Sequence, residues 1–365
     1  MAALAAAGAG RDDSPMIQPG QDGALTVLVA SPLEAEQVAR IRDFAPDRAR
    51  VVHEPALLGT PRYVADHVGL RRPLDAHERA RWLALVAGAD ILFDFDREIA
   101  AELPRLAPRL RWVQATSAGI GEFIERTGLA ASDIAFTTAA GVHARPLAEF
   151  TLLGLLHFFR DLPHLEAAKA RRQWERYTVE GLEGKRALLV GLGAVGREIA
   201  RCLNALGVEV CGLLRGDPGR ERPEGVAGWV APDDLRAALA GTDALVLACP
   251  LTPETRGLIG AAEIAALKTG AVVVNVARGP VVDETALIAA LADGRLRGAA
   301  LDVFAVEPLP QESPLWAMPN VIVSPHSAST VAAENGRIVD IFLDNLGRFL
   351  DGRPMRNVYE RARGY

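Results

Sequence analysis

A glycine-rich turn between an apolar segment and an amphipathic one constrains the fold of this chain more than any other feature. The turn, GLGAVG at residues 191–196, follows the apolar run 187–190 and precedes a helical pattern. In such a unit the first glycine makes a tight turn, the second admits a pyrophosphate, and the third lets helix and strand approach. The pyrophosphate would sit on unpaired N–H groups at the positive end of the helix dipole. The residues predicted to contact a dinucleotide here are Gly191, Gly193, Ala194, Val195 and Gly196.

Strand-like and helical patterns alternate on both sides of this turn. Downstream of it, strand-like segments occupy residues 208–214, 244–248, 271–275, 298–303 and 321–324. Alternation of this kind requires right-handed crossovers, so we predict a doubly wound parallel sheet of about six strands. Upstream, strand-like runs begin near Leu25, Val51, Ala89 and Leu110, again with helical patterns between most of them. The fold class is therefore predicted to be α/β throughout.

The length of 365 residues favours about two domains, and therefore a cleft between them. A long apolar helix is predicted just after Pro146, and an amphipathic helix over residues 331–350 has no later strand to serve, so we expect it to return to the first domain. Hinges are expected near Pro146 and Ser327. The predicted organisation is a disordered tail (1–23), a discontinuous substrate-binding domain (24–145 and 328–365) and a dinucleotide-binding domain (146–327).

Composition excludes several classes of function. The net charge of −6 leaves no basic face for nucleic acid, and the apolar runs fall well short of the roughly 20 residues that span a bilayer. Three cysteines without CxxC spacing fit a reducing, cytoplasmic location. The histidines show no metal-ligand spacing, so no metal is expected.

The choice of nicotinamide coenzyme depends on the end of the second strand after the glycine turn. An acid there would bind the ribose 2′-hydroxyl of NAD, yet the sequence has Leu214 and Arg215. Arg215, with Arg220 or Arg222 nearby, favours the 2′-phosphate of NADP. Loop arginines are equally often just solvated, so both NADP and NAD stay open.

Further residues at the carboxyl ends of strands are expected to line the same coenzyme. Ligands bind at this edge in open α/β sheets. Cys249 has no adjacent base and is interpreted as a small neutral lining residue rather than a nucleophile. Asp302 either faces the nicotinamide carboxamide or caps the loop that follows. The full set predicted at this edge is Cys249, Pro250, Thr255, Val276, Ala277, Asp302 and His326.

Three polar residues that follow apolar strands form a candidate catalytic group: Arg278, Glu307 and His326. Reduction of a 2-oxo acid needs a cation for the carboxylate, an acid–base for the carbonyl oxygen and a group that tunes that acid–base. We assign the carboxylate to Arg278 and proton transfer to His326. Glu307 would favour the protonated imidazole and hold its tautomer.

Several motifs in order resemble the D-isomer-specific 2-hydroxyacid dehydrogenase family. They are WVQATSAGIGEF, TTAAGVHARPLAEF, the glycine turn, TPETRGLI, VVVNVARGPVVDETAL, LDVFAVEPLP and SPHSAS, and they cover nearly everything after the tail. The resemblance implies a Rossmann coenzyme domain, a discontinuous flavodoxin-like substrate domain and a homodimer formed through the coenzyme domain. It also implies a loop whose backbone N–H groups hold the substrate carboxylate, formed by Ser117, Ala118, Gly119 and Ile120.

The resemblance also bears on the substrate. Related formate dehydrogenases carry glutamine where this chain has Glu307, which disfavours formate. The segment TSAGIG has no cluster of basic residues for a phosphate, so a small 2-oxo acid such as glyoxylate or hydroxypyruvate is favoured over 3-phosphoglycerate. Transcriptional corepressors that share this fold keep the same three residues, so a non-enzymatic dinucleotide sensor is the alternative.

Overall fold

The computed structural model describes residues 23–361, with the exception of 215, 217, 218 and 220. Contacts divide it into two compact units, one running up to Ala139 and resuming at Asn335, the other comprising Ala140–Glu334. Residues 1–22 of the expected tail, together with Arg215 and Arg220, lie outside the described residues.

The first unit contains a five-stranded parallel sheet in the order β2-β1-β3-β4-β5. This order is that of flavodoxin-like folds. The strands are β1 (Leu25–Val29), β2 (Ala49–Val52), β3 (Ile91–Phe93), β4 (Trp112–Gln114) and β5 (Ala135–Thr137). The helices between them are α1 (Ala35–Phe44), α2 (Ala76–Ala87), α3 (Leu103–Leu106) and α4 (Gly121–Arg126). Strand β5 was not anticipated from the sequence, because its residues, Ala-Phe-Thr, do not form the apolar run that marks β3, which is equally short.

The second unit contains a seven-stranded parallel sheet in the order β12-β11-β10-β9-β6-β7-β8. Two halves diverge from β6, which is the doubly wound Rossmann arrangement. The strands are β6 (Arg186–Val190), β7 (Glu209–Leu213), β8 (Gly228–Val230), β9 (Ala244–Leu247), β10 (Val272–Asn275), β11 (Gly298–Leu301) and β12 (Val321–Val323). The helices are α5 (Ala144–Phe159), α6 (Leu162–Ala170), α7 (Ala194–Asn204), α8 (Leu235–Leu239), α9 (Ala261–Ala266) and α10 (Glu284–Ala292).

The predicted fold class is confirmed, with one correction to the strand count. The prediction of about six strands missed β8, which pairs with the outer side of β7. β8 is a short edge strand, Gly-Trp-Val, with all three residues only partly buried, so its sequence lacks the apolar run that marks the central strands. By contrast, β9, β10 and β11 are buried along their whole length, as strands covered on both faces must be.

The last helix, α11 (Glu334–Leu350), completes the first unit. Phe342 on its apolar face is fully buried and stacks on Trp112 of β4 at 5.1 Å between ring centroids. The Asn345 amide donates to the carbonyl of Arg356 and accepts from its N–H, which holds the segment after α11. Both ends of the chain therefore contribute to one hydrophobic core.

None of the helices in the described residues is long and apolar enough to cross a membrane. The three cysteines carry free thiols.

Candidate active site

The glycine turn lies directly after β6, and two of its glycines are required by close backbone contacts. Gly191 has a φ of +100°, and a Cβ there would lie 2.6 Å from the backbone N of Cys249. A Cβ at Gly196 would lie 1.9 Å from the carbonyl O of Gly191. Only glycine lets β6, the turn and α7 approach this closely.

Gly193 is different, because a Cβ there would meet no protein atom within 4 Å. It is the N-cap of α7, and no side chain caps the helix. The first N–H groups of a helix, here those of Ala194, Val195 and Gly196, have no intrahelical acceptor. Open space beside unpaired N–H groups at a positive helix end fits the pyrophosphate of a dinucleotide.

Leu214 directly follows β7, at the position where an NAD-binding domain usually carries an acidic residue. Leu214 is buried, and its N–H donates to the carbonyl of Val230. Arg222 is exposed and donates to the carbonyl of Ala227. Leu214 thus lies at the carboxyl edge of the sheet.

The loop after β9 is held together by a threonine hydroxyl. Thr255 Oγ1 accepts from the N–H of Thr252 at 2.8 Å and donates to the carbonyl of Pro250 at 2.7 Å. Cys249 is buried at the start of this loop. The hydroxyl of Thr255 is therefore engaged in shaping the loop at the sheet edge.

The turn after β10 presents Arg278. Val276 and Ala277 are buried there, and Asn275 braces the turn by accepting from the N–H of Ala277 and donating to the carbonyl of Arg278. A Cβ at Gly279 would lie 1.9 Å from the backbone of Phe304. Asn275 and Gly279 were missed as supports from the sequence, although their positions beside Arg278 in VVVNVARGP were the available signal.

Glu307 and His326 form a direct pair. His326 Nδ1 lies 2.8 Å from Glu307 Oε2, and the other carboxylate oxygen accepts from the N–H of Phe304 at 3.0 Å. Burial by itself would raise the pKa of Glu307. The hydrogen bonds from His326 and Phe304 and the nearby charges of His326 and Arg278 outweigh burial, so the pKa of Glu307 is lowered.

Asp302 fixes the loop that carries His326. Its Oδ1 accepts from the hydroxyl of Ser324 at 2.6 Å and from the N–H groups of Ser327 and Ala328, both at 2.9 Å. Burial raises the pKa of Asp302 despite these hydrogen bonds. His326 itself has a φ of +53°, a left-handed conformation uncommon for a non-glycine residue, and its N–H donates to the Asp302 carbonyl. The loop geometry is thus set by Asp302.

Arg278, Glu307 and His326 therefore meet at one edge of the second unit's sheet. The histidine and glutamate side chains are partly exposed there, at 46% and 35%. The arrangement combines a guanidinium that can bind a carboxylate with an imidazole oriented by a carboxylate. No cluster of histidine, cysteine and acidic side chains suited to a metal occurs among the residues described.

The loop Ser117–Ile120 lies in the first unit, after β4. Ala118 and Gly119 are exposed, while Ile120 is buried and anchors the loop at the start of α4. The carbonyl of Ser117 accepts from the N–H of Ala139. The loop therefore exposes Ala118 and Gly119 beside a buried anchor, Ile120.

A Rossmann sheet with this glycine turn, and with an arginine and a histidine–glutamate pair at the same edge, is typical of dinucleotide-dependent oxidoreductases. The family model "D-isomer specific 2-hydroxyacid dehydrogenase, NAD binding domain" matches residues 152–328. Glyoxylate/hydroxypyruvate reductase A of Salmonella heidelberg (strain SL476) is 36% identical over 217 residues, which are 60% of this chain and 68% of that protein. The chain belongs to the D-isomer-specific 2-hydroxyacid dehydrogenase family.

Two solved structures agree over most of the chain. A D-isomer specific 2-hydroxyacid dehydrogenase from Xanthobacter autotrophicus Py2, in complex with NADPH and MES, is 30% identical with a TM-score of 0.73, covering 94% of this chain and 100% of that one. An NADPH-dependent glyoxylate/hydroxypyruvate reductase from Sinorhizobium meliloti, in complex with NADP and sulfate, is 28% identical with a TM-score of 0.73, covering 93% and 100%. The resemblance found in the sequence is confirmed, and the chain is an enzyme that uses a nicotinamide coenzyme.

Proposed function

We propose that this enzyme reduces a small 2-oxo acid of the glyoxylate or hydroxypyruvate type to the D-2-hydroxy acid, with NADPH as the preferred coenzyme. The observation that carries the proposal is the 2.8 Å contact between His326 Nδ1 and Glu307 Oε2, beside the charge of Arg278. The Salmonella and Sinorhizobium relatives named above support this substrate class.

The contact between Glu307 and His326 Nδ1 supports Nε2 as the imidazole atom that transfers the proton. An ionised carboxylate only accepts hydrogen bonds, so Nδ1 must be the donor toward Glu307. Nε2 is then the atom that gives a proton to the carbonyl oxygen during reduction and takes it back from the hydroxyl during oxidation. Glu307 also stabilises the imidazolium that forms in the oxidative direction.

Arg278 is proposed to bind the substrate carboxylate and to polarise the adjacent carbonyl. A guanidinium suits this task because it matches a carboxylate with two parallel hydrogen bonds. The backbone N–H groups of Ser117, Ala118, Gly119 and Ile120 are proposed as the second group of donors to the same carboxylate.

The coenzyme, when bound, supplies the hydride that goes to the carbonyl carbon. The residues proposed to hold it are those of the glycine turn, together with Leu214, Cys249, Pro250, Thr255, Val276, Ala277 and Asp302. Leu214 supports NADPH over NADH, because no carboxylate stands at the end of β7 to bind a free ribose 2′-hydroxyl or to repel a 2′-phosphate. Arg215 and Arg222 are the proposed cations for that phosphate.

The experiment follows the absorbance of reduced nicotinamide with NADH and NADPH separately, over glyoxylate, hydroxypyruvate, pyruvate, phenylpyruvate and 3-phosphohydroxypyruvate. We expect turnover with glyoxylate or hydroxypyruvate and a higher kcat/KM with NADPH. Preference for the phosphorylated acid would instead support a phosphoglycerate dehydrogenase. Tight binding of dinucleotide without turnover of any 2-oxo acid would contradict the proposed reaction.

Two variants test the residue assignments in the same assay. His326→Ala should lower kcat by roughly 10²–10⁴-fold while leaving the Kd of NADPH nearly unchanged. Arg278→Ala should chiefly raise the Michaelis constant of the oxo acid. Normal turnover of the first variant, or unchanged kinetic constants in the second, would remove that residue from the site.

We also propose that the enzyme is a homodimer formed through the second unit. α6 has no buried residue, and the segment after it exposes Trp174 at 96%. A short helix without a buried face is marginal in water by itself. Large apolar side chains exposed over α5, α6 and this segment are Leu153, Leu156, Leu162, Leu165, Trp174 and Tyr177.

Light scattering after gel filtration tests this assembly. Wild type should have the mass of a dimer, and Leu165→Glu should shift it toward the monomer. Leu70→Glu, at an exposed leucine of the first unit, is the matched control and should stay dimeric. A monomeric wild type would contradict the proposal.

A further inference from the structure

The first turn of α7 carries a cation at the end of the helix where a cation is least favourable. Arg197 is the fourth residue of α7, and side chains on a helix lean toward its N-terminus. Its Nε donates to the carbonyl of Leu192, inside the glycine turn, at 3.1 Å. An exposed guanidinium is thus held against the positive end of the helix dipole, which opposes it.

No acidic side chain in the described part of the chain forms an ion pair with Arg197. α7 has no acid in its first turn. Glu198, the next residue, is engaged by Arg201 at 2.7 Å and by Arg145 at 3.0 Å. The hydrogen bond from Arg201, with that from Arg145, lowers the pKa of Glu198 to about 2, so the charge of Glu198 is already committed to other partners.

A cavity of about 460 Å³ lies beside Arg197 within the second unit. Its wall consists of Gly141, Ala144, Ala194 and Pro223, of Arg197 and Arg201, and of the carboxylates Glu198 and Glu224. Arg197 Nε is bound to the turn, so a ligand here would be met by the two Nη groups. The guanidinium, the open side of Gly193 and the unpaired N–H groups of α7 therefore share one end of the helix.

We propose that Arg197 binds a phosphate group of the coenzyme, so that a charge unfavourable in the protein alone becomes favourable in the complex. The inference rests on the nicotinamide coenzyme assigned above and adds a residue to its site. Two phosphate groups share this chemistry, the bridging pyrophosphate at the glycine turn and the 2′-phosphate of NADP. A guanidinium binds either one through charged hydrogen bonds.

The Kd values of NADPH and NADH, measured by fluorescence without any 2-oxo acid, test this role. Arg197→Ala should weaken binding by about tenfold or more, the effect of a lost charged hydrogen bond, and Arg197→Lys should recover part of it. Arg201→Ala is the control, because Arg201 borders the same cavity but is already paired with Glu198, and it should bind both dinucleotides like wild type. Loss with both dinucleotides assigns Arg197 to the pyrophosphate, and loss with NADPH alone assigns it to the 2′-phosphate.

Thermal unfolding without coenzyme separates this role from a purely structural one. If Arg197 serves the phosphate, the Tm of Arg197→Ala should equal or exceed that of wild type, since a charge opposing the helix dipole is removed. Wild-type Kd values in Arg197→Ala, or weaker binding accompanied by a lowered Tm, would overturn the proposal. A wrong substrate class would leave these binding data unaffected, so the two failures are distinguishable.

Discussion

Gly193 and Gly196 stand three residues apart in one turn, yet they are glycines for different physical reasons. A Cβ at Gly196 would collide with the carbonyl of Gly191, whereas a Cβ at Gly193 would meet no protein atom within 4 Å. Gly196 is needed by the protein fold, and Gly193 leaves room for the ligand.

Alanine substitutions should separate these two reasons. Gly196→Ala should lower the free energy of unfolding by about 1–3 kcal/mol through overpacking and weaken dinucleotide binding as a consequence. Gly193→Ala should keep the Tm of the protein without coenzyme but weaken dinucleotide binding strongly. Thermal unfolding and coenzyme titration of both variants check this, and a normal NADPH affinity in Gly193→Ala would contradict the placement of the pyrophosphate.

In the proposed mechanism, the ionisation of Glu307 determines the pH below which activity declines. Because its pKa is lowered in the folded enzyme, the carboxylate stays ionised, and its stabilising contact with His326 persists, down to a pH below the ordinary glutamate range. The contact is lost as the pH falls through that lowered pKa. The catalytic efficiency of oxo acid reduction should therefore hold in mild acid and decline only below it.

Glu307→Gln removes the titrating group while keeping its shape. We expect the variant to lose roughly tenfold or more in kcat, because a charged hydrogen bond becomes a neutral one, and to lack the acid decline assigned to Glu307. The pH profiles of both enzymes are the measurement. The same acid decline in the variant would assign it to another group.

At the scale of an element, the loop from Ser324 to Ala328 owes its shape to one buried carboxylate. Asp302 receives three hydrogen bonds from this loop through a single oxygen. The sequence left two roles open for Asp302, a cap of the loop that directly follows it and a contact with the nicotinamide carboxamide. The loop that Asp302 holds is instead the one after β12, and its second carboxylate oxygen makes none of these three bonds.

Asparagine and alanine at position 302 discriminate between these roles. Asp302→Ala should lower the free energy of unfolding by about 1–3 kcal/mol by leaving loop N–H groups without an acceptor, and kcat should fall as His326 loses its position. Asp302→Asn should recover stability if capping is the main role. If the stable asparagine variant binds NADPH more weakly than wild type but binds AMP equally well, the contact with the carboxamide is favoured.

At the scale of the whole molecule, the first unit depends on a helix from the far end of the chain. The ring of Phe342 on α11 stacks on Trp112 and meets Phe93 edge to face at 5.3 Å. Trp112 in turn donates to Thr137 Oγ1, which donates to Gln114, so an aromatic and a polar contact network share the same strands. Loss of this helix would uncover a continuous part of the core.

Phe342→Ala should lower the free energy of unfolding by about 3–5 kcal/mol, the range for a fully buried aromatic side chain. Arg337→Ala, on the exposed face of the same helix, is the control and should change it by less than about 0.5 kcal/mol. Denaturant unfolding followed by tryptophan fluorescence is the measurement, with Trp112 as one of the five tryptophans that contribute to the signal. Equal stabilities of the two variants would show that α11 is not part of the cooperative core.

The α/β fold class and the candidate group Arg278, Glu307 and His326 could be predicted because both follow from local patterns, whereas the loop 117–120 was predicted only from the family resemblance. Parallel strands bring their carboxyl ends to one edge, so polar residues after apolar runs, such as Arg278 and His326, were expected to meet there. The short strands β5 and β8 were not predicted, because Ala-Phe-Thr and Gly-Trp-Val lack the apolar run that marks the equally short β3 and β12.

The sequence by itself determined the Rossmann turn, the alternating α/β order and the chemical groups available for hydride transfer. Glycine spacing and hydrophobic periodicity are local properties that can be recognised along the chain. How those groups are held depends on the tertiary fold. Asp302 holds the loop of His326 from 22 to 26 residues away along the chain, and Gly279 beside Arg278 packs against the backbone of Phe304. Such contacts depend on angles and distances between elements, which a pattern along the chain does not contain.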